Sequence, residues 1–108
     1  MAFDIKQQKD IQVNSTTVNA ATYTVLRTDD ILNVTYTATG AITITIPTAL
    51  MAEKKTFTIK DAGGLAGTNN INIGTEGAET IDGAASYVIN SNYDAITLYS
   101  NGTSWFLI

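Results

Sequence analysis

The residues that invite a chemical reading are a glycine-rich run, Gly63-Gly64-Leu65-Ala66-Gly67, and the carboxylates Asp61, Glu76, Glu79 and Asp82 around it. A phosphate cradle needs backbone N–H groups leading into a helix N-terminus, usually closed by Gly-Lys-Ser/Thr. This run has no such ending and precedes a strand-like segment, so it reads as a connector. The acidic set offers the oxygen ligands that calcium takes, but its spacing matches neither an EF-hand loop nor a nonapeptide calcium repeat. Glycoside hydrolysis would need two carboxyls at a defined separation, and nothing in the sequence places such a pair. The chain has no cysteine and no histidine, which removes thiolate and imidazole metal sites, disulfides, and Cys or His nucleophilic machinery. No catalytic residue, metal or cofactor is assigned, and the chain is read as a non-enzyme.

A second chemistry is stacking. Tyr23, Tyr36, Tyr87, Tyr93, Tyr99 and Trp105 are candidates for contact with sugars, and those near turns, Tyr87 and Tyr93, are the ones singled out. At alternating positions an aromatic ring more commonly fills a core or a subunit interface. The threonines suggest a solvated sheet face, with an ice-binding or fibre surface as further readings. Binding to nucleic acid is not expected: the net charge is −4, the six Lys and Arg are scattered, and only Lys54-Lys55 are adjacent.

Threonine is the commonest residue, proline occurs once, and charge is sparse, which is the composition of a pleated, half-buried sheet. No run approaches the ~20 apolar residues of a membrane span, so no membrane partner is read, and the polar Met1–Asp10 has no secretory h-region. Residues 1–20 are taken as an N-terminal attachment arm and 21–108 as one β-rich domain. The clearest period-2 segment is Ala41–Ile46, with Ile42, Ile44 and Ile46 on one side and Thr43 and Thr45 on the other. Similar alternation marks Thr22–Leu26, Ile31–Thr39, Lys55–Asp61, Ile71–Ile73 and Ser86–Ile89. Thr48–Lys54 holds helix formers behind a threonine able to cap them, but is long enough only for a connector. The expected fold is all-β: a single compact β-sandwich or small barrel of about eight to ten short, mostly antiparallel strands.

The last strands should form a C-terminal hairpin over Ala95–Ile108. Asn101-Gly102 is a strong signal for a two-residue type I′ turn, which would set Leu98 opposite Trp105 and Thr97 opposite Phe106. One face then carries Ile96, Leu98, Trp105 and Leu107 toward the core. The other carries Tyr99, Phe106 and Ile108, too apolar for water alone, which makes these three the candidate oligomer interface.

From Ala21 onward the chain resembles a module that recurs in tailed-bacteriophage structural proteins: tail fibres, head fibres and capsid decorations. The resembling pieces, in order, are Ala21–Val25, Ala41–Pro47, Phe57–Asp61, Asn69–Ile73, Glu79–Ala84 and Leu98–Trp105. The resemblance implies a virion surface protein, generally a homotrimer, with no catalytic residues to carry over. Long fibres of this kind place a repetitive shaft ahead of the module, whereas Met1–Ala20 extended reaches only ~3.5 Å per residue. A knob or cement protein on the capsid surface, made in the host cytoplasm and bound to the major capsid protein or another virion protein, is therefore expected. The alternative is a receptor-binding fibre tip that contacts a host-surface glycan.

Overall fold

The structure, a computed structural model, describes residues 13–108. Nine strands and one helical turn follow in the order β1 (Ser15–Val18), β2 (Thr22–Thr24), β3 (Ile31–Val34), β4 (Ile42–Ile46), α1 (Thr48–Ala52), β5 (Thr56–Asp61), β6 (Ile71–Thr75), β7 (Ser86–Ile89), β8 (Ala95–Ser100) and β9 (Trp105–Leu107). They form two mixed sheets. Sheet A has the order β1-β3-β5-β8-β9 and sheet B the order β2-β4-β6-β7.

The first six strands alternate between the sheets, so each returns to its own sheet one circuit later, running the same way. The β1–β3, β3–β5, β2–β4 and β4–β6 ladders are parallel; only β5–β8, β6–β7 and β8–β9 are antiparallel. This corrects the expectation of mostly antiparallel strands. Period-2 alternation says which side of a strand is buried but nothing about its neighbour's direction. The turns between β1 and β6 send the chain across to the other sheet instead of back beside the strand just completed.

Alternation does fix the core. Ile42, Ile44 and Ile46 of β4 are buried, as are Phe57 and Ile59 of β5 and Ile71 and Ile73 of β6. Parallel register sets Ile42 beside Ile71 and Ile44 beside Ile73, and β7 adds Ile89 beside Ile71. These side chains join Val18, Leu32, Val34, Leu98 and Trp105 of sheet A in one hydrophobic cluster. Trp105, fully buried, meets Phe57 edge-on at a ring distance of 5.6 Å.

Three local expectations change. Ser15–Val18, placed in the N-terminal arm by sequence, is β1 and buries Val18; the part of the arm from 1 to 12 lies outside the described residues. Helix α1 is not capped by Thr48: Pro47 occupies the cap position, and the Thr48 N–H donates to Glu76 Oε1 at 3.0 Å. The C-terminal hairpin pairs Leu98 with Leu107, Tyr99 with Phe106 and Ser100 with Trp105, two residues away from the expected register. Its turn centres on Gly102-Thr103, and only Gly102 has a positive φ, +101°. Asn101 is kept out of that conformation by its own side chain, whose Oδ1 accepts from the Thr103 and Ser104 N–H groups. The tight turn with positive φ at both central residues is instead Asp82-Gly83 (+49° and +82°), closed by reciprocal bonds between Ile81 and Ala84.

Candidate assembly surface

A two-residue slip leaves every side chain on the face it was assigned. Ser100, Leu98, Trp105 and Leu107 lie on the core side, and Tyr99 and Phe106 lie together on the side of sheet A facing away from it. Their ring centroids are 5.6 Å apart, with planes tilted by 33°. The Ile108 N–H donates to Thr97 O, continuing the ladder beyond β9, and the Ile108 side chain is 79 % exposed. Ladder partners extend this face across β5 and β3: Thr97 sits beside Thr58, and Thr58 beside Ile31. The Thr58 and Thr97 hydroxyls are hydrogen-bonded at 2.9 Å. The three residues named for the interface thus share one exposed surface, low in charge, with Lys60 on the same face.

The far edge of this sheet is closed by the chain itself. The Trp105 N–H donates to Thr80 O, the Asp82 N–H donates to Trp105 O, and the Leu107 N–H donates to Asp82 Oδ1. Asp82 therefore anchors the turn that covers β9.

The glycine-rich loop holds an anion, but one the chain supplies. Buried Asp61 accepts N–H bonds from Gly64 (3.1 Å) and Ala66 (2.9 Å) within the loop and from Tyr93 (2.9 Å) across it. These donors are occupied. The other acidic candidates are dispersed: Glu76, just after β6, accepts from the Thr48 N–H of α1, and Asp82, in its own turn, accepts from the Leu107 N–H of β9. Among the described residues no group of three or more His, Cys, Asp or Glu is arranged to hold a metal ion.

The stacking tyrosines part company. Tyr87 points inward from β7 and packs against the core. Tyr93, in the loop before β8, is 62 % exposed, and Lys60 Nζ lies 6.0 Å from its ring centroid.

A second buried carboxylate was not among the candidates. Asp29 accepts from Thr16 Oγ1 (2.7 Å), the Tyr23 hydroxyl (2.6 Å) and the Leu26 N–H (2.8 Å). It ties β1, β2 and their connection to β3 together. Burial, then the bond to Asp29 and its charge, holds the Tyr23 phenol protonated well above the usual tyrosine range. In the sequence Asp29 is the first of an Asp-Asp pair in a polar turn, and nothing there separates the buried carboxylate from its half-buried neighbour Asp30.

No protein-family model matches the chain, and no curated protein matches it.

Proposed function

We propose that the chain is a structural protein of a phage particle, a trimeric decoration or knob seated on the capsid, with its N-terminal segment making the attachment. The single observation that carries this reading is the exposed side of β8 and β9, where Tyr99, Phe106 and Ile108 present contiguous apolar side chains. An apolar surface of this kind rimmed by threonine suits burial against like subunits. The resemblance of the segments from Ala21 to Trp105 to phage head-fibre and decoration modules supplies the biological setting. The two sheets act as a rigid two-layer body, and binding is the whole of the mechanism.

Sedimentation equilibrium tests the assembly: a trimer of the 11.5 kDa chain is expected at micromolar concentration, and a monomer would sink the reading. Attachment is tested by removing residues 1–12 only, since a longer deletion would strip β1 from sheet A. The shortened trimer should bind heads more weakly than the full-length chain.

A receptor-binding role at a fibre tip is the second reading, favoured by exposed Tyr93. Binding of the purified protein to host-surface glycans, lost in Tyr93→Ala, would move the assignment there.

A further inference from the structure

The end of the two-sheet stack opposite the hairpin is built differently. Just before β1 and at its end, Asn14 O and Val18 O accept from Ile31 and Thr35, so alternate residues bond toward β3 and the N–H and C=O groups of Ser15 and Thr17 point the other way. In β2, Ala21 O accepts from Thr43 and the Val25 N–H donates to Thr45, which turns the backbone of Thr22 and Thr24 outward in the same manner. Among the described residues none of these outward groups has a partner. Edge strands are normally blunted by charge, proline or a covering segment. Val13–Leu26 contains no charged residue, proline or glycine. Val13 (63 % exposed) and Leu26 (55 % exposed) flank the two edges. The other edge of sheet A, by contrast, is closed by Thr80–Asp82.

We propose that this end, β1 foremost, takes up an extended, uncharged, β-branched segment of the virion protein on which the chain is seated, added as a further strand. The inference rests on the proposed structural role and names how the attachment is made. Outward N–H and C=O groups at strand spacing are matched by an extended peptide backbone, and strand addition to an exposed edge is an established mode of recognition. The edge strands themselves carry no charged side chain, the nearest carboxylate being that of Asp30, which accepts from the Asn14 N–H at 2.8 Å. A neutral segment fits them, and Val13 and Leu26 supply apolar side chains for it to cover.

The test uses the full-length chain and heads purified from phage in which the gene for this chain is disrupted. Thr17→Pro deletes one outward N–H without touching a bond to β3, and Thr17→Lys places a charge at the same edge. Each should weaken binding at least ~10-fold, the order expected for one lost backbone bond together with imperfect strand docking. Ser86→Lys, exposed on β7 at the opposite edge of sheet B, should bind like wild type. Buried Trp105 reports folding through its emission, and Thr17→Lys stands alone if the proline variant unfolds. Wild-type binding left unchanged in a folded edge variant would overturn the strand-addition proposal and leave the decoration role standing. Failure of the wild type to bind heads would overturn both. Backbone amides of Ser15 and Thr17 already protected from exchange in the free protein would show that the chain's own first residues or a second copy cover the edge, and would likewise overturn it.

Discussion

Tyr99 and Phe106 stand opposite each other across β8 and β9, on the side of sheet A away from Trp105, with ring centroids 5.6 Å apart. Such a pair contributes about 0.5–1.5 kcal/mol beyond the area it covers. Phe106 is only half-buried within one subunit, so its removal costs the isolated fold little. Phe106→Ser is expected to lower subunit stability by less than about 1.5 kcal/mol in urea unfolding. The same variant should shift sedimentation equilibrium toward monomer. An unchanged trimer would move the subunit interface off this face.

The carboxylate at the centre of the glycine-rich loop gives a larger effect. Asp61→Ala leaves the N–H groups of Gly64 and Ala66 without their acceptor in a buried setting, and that of Tyr93 in a part-buried one. Each orphaned donor costs about 1–3 kcal/mol, partly relieved where water enters, and a loss of about 3 kcal/mol is expected in urea unfolding. Asp61→Asn keeps one acceptor oxygen and should fall between. Exchange of these three amides, slow in the wild type, should become fast in Asp61→Ala.

Much of the fold was legible because burial follows from period 2. The isoleucines of β4, the inward Phe57 and Ile59, and the sharing of one face by Tyr99 and Phe106 all come from counting by twos. Strand direction did not, since Ile42 is equally well placed beside Ile71 in a parallel or an antiparallel ladder. Turn chemistry was half legible. Asn101-Gly102 and Asp82-Gly83 carry the same signal, and the choice between them is tertiary: Asp82 is held in its positive φ by docking on Leu107, while Asn101 uses its side chain to cap Thr103 and Ser104. The buried roles of Asp29 and Asp61 were hidden for a related reason. A carboxylate in a turn looks solvated until the long-range donors that surround it are known.

Tyr23 makes stability depend on alkaline pH. Its phenol, bonded to Asp29, keeps its proton in the native state to higher pH than an unfolded tyrosine, which releases it near pH ~10. Above that pH the native state holds more protons than the unfolded state, so stability falls as pH rises, while below it the contribution is fully present. Tyr23→Phe removes the titrating group and one of three bonds to Asp29, at about 1 kcal/mol near neutrality. Urea unfolding between pH 9 and 11, on the order of one unit either side of that value, should therefore show the wild type losing stability relative to Tyr23→Phe. Parallel pH profiles would rule Tyr23 out as the source.

Two glycines with similar backbone conformations separate strain from crowding. Gly83 (φ +82°) has open space where a Cβ would lie, whereas at Gly64 (φ +74°) that atom would fall 2.3 Å from Tyr93 Cζ. Gly83→Ala should cost about 1–2 kcal/mol, the strain of a left-handed alanine. Gly64→Ala carries that strain and also pushes the Tyr93 ring away from the loop, so it should cost at least ~1 kcal/mol more. Because the additional cost comes from one neighbour, removing that neighbour should remove it: Gly64→Ala combined with Tyr93→Ala should be less destabilised than the sum of the single variants. Combining Gly83→Ala with Tyr93→Ala should be additive. Equal coupling in both pairs would mean that the Tyr93 ring does not pack over Gly64 in solution.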